Sequence, residues 1–168
     1  MAVMFDRRDL LRGRIGKRPP DLRPPYALSE AVFQLLCDGC GTCAEACPEN
    51  VIAPDAQGFP VLRYQDTACT FCKACSTACP TGALDTERAA PWTIRATIRG
   101  TCLSFNGIVC RACGEHCDES AIGFTPLPGG RALPRVDEGV CTGCLKCAAV
   151  CPVGAIVMRP RPQQEIAA

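Results

Sequence analysis

Sixteen cysteines in a chain of 168 residues fall into four groups with a repeated spacing. Cys69, Cys72, Cys75 and Cys79 precede Pro80 and read C-x2-C-x2-C-x3-C-P. Cys37, Cys40, Cys43 and Cys47 before Pro48, and Cys141, Cys144, Cys147 and Cys151 before Pro152, have the same form. The remaining group is distorted: Cys102 stands well ahead of Cys110, which is followed at the usual intervals by Cys113 and Cys117, with Asp118 in place of proline. Thiols in such numbers make disulfides or bind soft metals, and the spacing separates these chemistries.

A 4Fe-4S cube presents its irons at tetrahedrally disposed corners, so thiolates must arrive from several directions. Cysteines at i, i+3 and i+6 lie on one tight loop that wraps three corners with its amides turned toward the sulfides. The fourth cysteine, ahead of a proline suited to a first helical turn, points away and reaches the other cluster of a pair. This rule assigns one cluster to Cys37, Cys40, Cys43 and Cys79, and a second to Cys69, Cys72, Cys75 and Cys47. A third falls to Cys102, Cys110, Cys113 and Cys151, and a fourth to Cys141, Cys144, Cys147 and Cys117. Cys102 fits only if residues 103–109 loop out and bring its thiolate back to the same corner. Tetrahedral zinc is the competing reading, but zinc sites join two separate C-x2-C pairs and do not need the triplet. Disulfides suit a secreted chain, whereas residues 1–25 are basic and lack the apolar run of a signal peptide, so reduced thiols in the cytoplasm are expected.

The elements that position these loops are short. Aromatic content is only 5%, thin for a large apolar core, so the clusters act as staples. Ser29 reads as a helix N-cap, followed by an apolar face of Ala31, Val32, Leu35 and Leu36 that leads into Cys37 and packs the arm onto the body. Residues 51–53 and 60–64 flank a turn and read as a hairpin; residues 82–85 offer a short strand. Trp92, Ile94, Ala96 and Ile98 alternate as a strand, and residues 121–124, 133–136 and 155–158 repeat the plan. The chain is therefore expected to be α+β: tandem bacterial 2[4Fe-4S] ferredoxin-like lobes of short strands and helices, plus a basic N-terminal arm. The boundaries are 1–28 for a basic, proline-rich arm, 29–88 and 92–159 for two lobes of two clusters each, and 160–168 for a tail.

Net charge is +1 overall but +4 through Leu28, a basic arm on a mildly acidic body. The arm interleaves no aromatic residues with its arginines before Tyr26, which disfavours nucleic acid. No stretch approaches the roughly 20 apolar residues of a membrane span. His116, the sole histidine, is redundant as a ligand beside four thiolates per site. Lys73 and Lys146 each lie between the second and third cysteines of a run; an ammonium near a cluster stabilises the reduced form and raises its potential. Phe71 and Trp92 shield clusters or simply fill the core. Neither a nucleotide loop nor a catalytic constellation is present, so an electron-transfer or maturation protein with no catalytic site of its own is expected.

Several stretches resemble the NapF-type ferredoxins, accessory iron–sulfur proteins of periplasmic nitrate reductase systems. They are Arg7-Arg8-Asp9-Leu10-Leu11-Arg12-Gly13-Arg14, Arg23-Pro24-Pro25-Tyr26, and the run of Cys102-Leu103, Cys110-Arg111, Cys113 and Cys117 with Ala121-Ile122. The resemblance implies a cytoplasmic four-cluster protein that binds the molybdenum-containing catalytic subunit, assists its maturation before export and exchanges electrons with a redox partner protein. It makes Arg7, Arg8 and Arg12 candidates for partner contact. Two other classes fit the clusters alone: an electron-transfer ferredoxin subunit of a membrane-associated quinol or dehydrogenase complex, and an interaction module that clusters merely stabilise.

Overall fold

The computed structural model describes residues 21–64 and 67–161. The elements are α1 (Glu30–Leu36), α2 (Thr42–Glu45), β1 (Ile52–Pro54), β2 (Pro60–Leu62), α3 (Ala74–Thr77), β3 (Ile94–Ile98), α4 (Ala112–Glu115), β4 (Ile122–Pro126), β5 (Ala132–Val136), α5 (Lys146–Ala149) and β6 (Ile156–Pro160). Each of α2 to α5 is a single turn embedded in a cysteine run.

Each half places a hairpin between two such turns. β1 and β2 pair antiparallel with Ile52 opposite Leu62, and β4 and β5 with Ile122 opposite Val136. Asp55 shapes the first turn: its Oδ1 accepts the Gln57 and Phe59 amides at 2.9 and 3.0 Å. Each half is closed by its own two ends. In the second, β3 pairs antiparallel with β6, from Ile94 opposite Pro160 to Ile98 opposite Ile156. In the first the closure shrinks to one bridge, Ala27 with Leu84, flanked by Leu28 N–H to Ala83 O at 3.1 Å and Asp85 N–H to Tyr26 O at 2.8 Å. The core is continuous through both halves, from Phe33, Val51 and Leu84 to Leu145, Ile156 and Met158.

Two expectations change here. Residues 21–28, assigned to the arm, are built into the first half. Leu22, Pro24 and Leu28 are buried, the Leu62 amide donates to Leu22 O at 2.7 Å, and Tyr26 Oη donates to Phe71 O at 2.9 Å. Prolines that look like a spacer suit an edge segment, where a missing amide is not needed. At the other end β6 runs through Pro160, so the strand takes in the first residue assigned to the tail. The second change concerns α1, whose buried residue is Phe33, while Leu35 is 84% and Val32 37% exposed. Ser29 sits at its N-cap without a side-chain bond. Phe33 wins the core position because it meets the Phe59 ring edge-on at 6.0 Å and the Arg23 guanidinium at 4.9 Å.

Arg23 also pairs with Glu30 at 2.8 Å and with the half-buried Asp55 at 3.0 Å. Its side-chain bond to Glu30 holds that carboxyl below its ordinary value. Burial alone would raise Asp55, but the Gln57 amide, Arg23 and the Phe59 amide outweigh it and the net shift is downward. A carboxyl depressed in the folded state stabilises above its unfolded pKa, so this contribution is full near neutrality and disappears as the pH falls below about 4. Arg23→Ala strands Asp55 and uncovers two rings, with an expected loss of about 2–4 kcal/mol in denaturant unfolding and a smaller loss for Arg23→Lys.

Candidate metal centres

The cysteine loops share an unusual backbone. In the three regular runs the residues on either side of the second cysteine are left-handed: Gly39 and Gly41, Phe71 (φ 54°) and Lys73 (φ 67°), Gly143 and Leu145 (φ 77°). Alternating left-handed residues turn successive amides to one side, a concavity suited to an anion such as a sulfide-rich cluster. Non-glycine residues in this conformation cost roughly 1–2 kcal/mol each. The distorted run departs here too, with Arg111 at φ −129°. A second repeat spans all four runs: the third residue after the fourth cysteine is left-handed at Asn50, Gly82, Ser120 and Gly154. The sequence reading missed it, although Asn, Gly, Ser and Gly at that position were its signal.

None of the sixteen cysteines is paired in a disulfide. A solvent-open cleft of about 340 Å³ is lined by Cys47, Cys69, Cys72 and Cys75, with Tyr26, Val51, Ile52, Leu62 and Phe71. Another, of about 360 Å³, is lined by Cys102, Cys110, Cys113 and Cys151, with Ile98, Leu103 and Ile156. Each cleft takes three thiols from one run and the fourth from its neighbour.

Charge interactions group the remaining thiols. Burial pushes Cys43 up to about 11, helped by the charges of Cys37 and Cys79. Burial likewise raises Cys37, with Asp38, Cys79 and Cys40 adding to it. Burial takes Cys147 to about 12, followed by Cys144, Cys141, Cys113 and Cys117. Cys75, at about 12, is raised by burial, then Cys69, Cys43 and Cys47; Cys113, at about 11, by burial, then Cys102, Cys110 and Cys151. Thiols this weakly acidic keep their protons at neutral pH unless a metal displaces them. Cys79 is the opposite case. Burial would raise it, but the amides of Leu84, Thr81 and Ala83 and the Thr81 hydroxyl lower it. Other donors reach sulfur at Cys69 (Phe71 N–H, 3.4 Å), Cys151 (Ala155 N–H, 3.2 Å) and Cys40 (Thr42 hydroxyl, 3.4 Å).

Cys102 reaches its cleft because residues 103–109 fold into a compact turn. The buried Ser104 hydroxyl donates to Cys110 O at 2.8 Å, and Asn106 Nδ2 donates to Gly100 O and Cys102 O, both at 2.8 Å. His116, just past α4, is exposed, with Nδ1 2.9 Å from Ala112 O in that helix. Lys73 is exposed as well. Lys146 Nζ is bound to both oxygens of Asp118 at 2.9 and 2.8 Å, so the residue that replaces proline after Cys117 has an ionic partner the sequence reading did not assign. Phe71 and Trp92 pack edge-on with centroids 6.3 Å apart. Arg7, Arg8 and Arg12 lie outside the described residues.

Among the described residues no three His, Cys, Asp or Glu side chains converge as a single metal ion would require. Four soft donors around a cleft, with amides directed at sulfur, suit a larger iron–sulfur body. The fold and its cysteine clefts define an iron–sulfur protein with two tandem dicluster units. In agreement, the family model described as 4Fe-4S dicluster domain matches residues 36–83 and again 108–155. With sixteen cysteines, the two units account for four 4Fe-4S clusters.

The chain is 35% identical to the ferredoxin-type protein NapF of Escherichia coli (strain K12) over 156 residues, 93% of this chain and 95% of that protein. It is 35% identical to NapF of Haemophilus influenzae over 144 residues, covering 86% and 82% of the two chains. The methylamine utilization ferredoxin-type protein MauM of Methylobacillus flagellatus is 34% identical over 173 residues, covering 92% of this chain and 74% of that one. This chain belongs to the NapF family of ferredoxin-type proteins. Ferredoxin-type iron–sulfur proteins carry electrons. Among the described residues no helix is long and apolar enough to cross a membrane.

Proposed function

We propose that this protein is a four-cluster accessory protein that binds the molybdenum-containing catalytic subunit of periplasmic nitrate reductase in the cytoplasm, assists its maturation before export and supplies electrons during that process. The observation that carries the reading is similarity along nearly the full length of NapF proteins. Arg7, Arg8 and Arg12 are the proposed contacts on the partner. Anaerobic affinity capture with the intact holoprotein is expected to recover an unexported molybdoenzyme precursor, and capture of a membrane complex instead would overturn the reading. The similarity to the methylamine utilization protein MauM favours a second reading, an electron-transfer ferredoxin subunit of a membrane-associated quinol or dehydrogenase complex, which would then dominate the capture.

Within this reading each lobe is a bacterial 2[4Fe-4S] ferredoxin-like unit, and each cluster is ligated by one triplet and the fourth cysteine of the neighbouring run. The two clefts with their three-plus-one cysteine sets support this, as do the charges that Cys79 exerts on Cys37 and Cys43 and Cys117 on Cys147. Bound clusters supply one-electron storage; the chain contributes ligands, amide donors and apolar cover. Lys146 and Asp118 then act in opposition on the site of Cys117, Cys141, Cys144 and Cys147. Lys146→Ala leaves an unpaired carboxylate and is expected to lower the potential of one cluster, and Asp118→Asn to raise it. A redox titration in which both variants move the same way would refute this.

A further inference from the structure

The site of Cys47, Cys69, Cys72 and Cys75 belongs to the first half, and that of Cys117, Cys141, Cys144 and Cys147 to the second. The halves touch between these two. The Cys69 amide donates to Cys144 O at 2.9 Å. Among the described residues no other hydrogen bond joins a cysteine of one half to a cysteine of the other. The link is short in bonds: from each sulfur through Cβ and Cα to the backbone, then across a single hydrogen bond.

An aromatic pair lies beside it. Phe71, between Cys69 and Cys72, packs edge-on against Trp92. Trp92 in turn lies against Gly143, between Cys141 and Cys144, so closely that a β-carbon on Gly143 would stand 2.8 Å from the indole Nε1. That Nε1 is buried with no hydrogen-bond partner among the described residues. Within each half the turns that carry the third cysteines pack together: α2, with Cys43, against α3, with Cys75, and α4, with Cys113, against α5, with Cys147.

We propose that the four sites form one electron-transfer line. It runs from Cys37/Cys40/Cys43/Cys79 to Cys47/Cys69/Cys72/Cys75, crosses the Cys69–Cys144 hydrogen bond to Cys117/Cys141/Cys144/Cys147, and ends at Cys102/Cys110/Cys113/Cys151. Phe71 and Trp92 keep the crossing packed and dry. The order differs from that of the chain, because the third run in sequence supplies the far terminus. The inference rests on the three-plus-one ligation proposed above. With clusters held by these two inner cysteine sets, an electron that crossed would leave one of them oxidised by one unit and the other reduced by one, with no bond broken and no proton moved. A one-electron protein carrier supplies it at one terminus, and a one-electron centre of a partner accepts it at the other.

The test uses full-length holoprotein, purified anaerobically and reduced stepwise with dithionite, with spin–spin interaction between reduced centres read by pulsed electron paramagnetic resonance. Cys40→Ala removes a terminal site and Cys72→Ala an inner one, both cysteines being exposed. The interaction between the halves is expected to persist in Cys40→Ala and to be lost in Cys72→Ala. Persistence in Cys72→Ala, or loss in Cys40→Ala, overturns the line. Trp92→Ala and Trp92→Phe keep every cysteine: coupling of solvent deuterons to the inner sites, read by the same pulsed method in heavy water, should rise severalfold in the former and stay near wild type in the latter. An unchanged Trp92→Ala overturns the role given to the aromatic pair. Iron and sulfide content separates the two levels of inference. Fewer than four centres in the wild type overturns the ligation reading and the line with it, whereas four centres with the wrong interactions overturn the line alone.

Discussion

Replacing Cys79 with alanine is expected to remove the cluster of Cys37, Cys40 and Cys43 while leaving that of Cys69, Cys72 and Cys75, its own neighbours in sequence. The single turn of α3 separates Cys79 from its own loop, and the segment that follows supplies amides from Thr81, Ala83 and Leu84 that favour its thiolate. Its charge is felt at Cys37 and Cys43. Loss of a ligand with that many donors should cost one whole cluster, so iron and acid-labile sulfide each fall by about a quarter. The reciprocal variant, Cys47→Ala, should spare the first site and empty the second. If Mössbauer and paramagnetic resonance spectra of Cys79→Ala instead lacked the cluster of Cys69, Cys72 and Cys75, the three-plus-one arrangement would be wrong.

Gly143→Ala should be nearly as damaging without touching a ligand. The residue has φ +74°, and an added β-carbon would collide with the Ile94 carbonyl oxygen on β3 as well as crowding Trp92. Neither neighbour is free to retreat: Ile94 belongs to the closing strand pair, and its carbonyl also accepts from Arg95 at 2.8 Å. Strain and overpacking together come to about 3–5 kcal/mol, enough to displace the loop that carries Cys141 and Cys144. Gly41→Ala is the matched control. Its φ is +81°, but nothing among the described residues lies within 4 Å of the added carbon, so the left-handed cost of roughly 1–2 kcal/mol is what is expected. Equal stability of the two variants in thermal unfolding, followed by cluster absorbance, would show that the close approach is unimportant.

The contrast between these two glycines also marks how far sequence can be read. Cysteine intervals are a one-dimensional record of which corners a loop can reach, so the triplets, the hairpins at residues 51–64 and 121–136 and the doubled plan were legible in advance. Both Gly41 and Gly143 adjoin a cysteine, however, and only the return of β3 distinguishes them. Phe33 was overlooked for a related reason. A helix of seven residues is too short for periodicity to fix its buried face, and the choice was made by Arg23 and Phe59, which reach it from other segments. The proline-rich stretch from Leu22 to Ala27 looked like a spacer because its partners, Leu62, Phe71 and Leu84, lie far along the chain. Asp118 was visible as an oddity after the third cysteine run, but its partner Lys146 is 28 residues away.

The pairing of Ala27 with Leu84, and of β3 with β6, has a bearing on how such a chain can arise. A unit whose entry and exit lie side by side can be copied whole and spliced in series, because the junction falls at one edge and leaves the interior of both copies undisturbed. The segment from the end of one copy to β3 needs only to step sideways. Lengthening one metal loop, as between Cys102 and Cys110, is then a private matter for that copy, and the turn tied down by Ser104 and Asn106 absorbs the added residues where they stand.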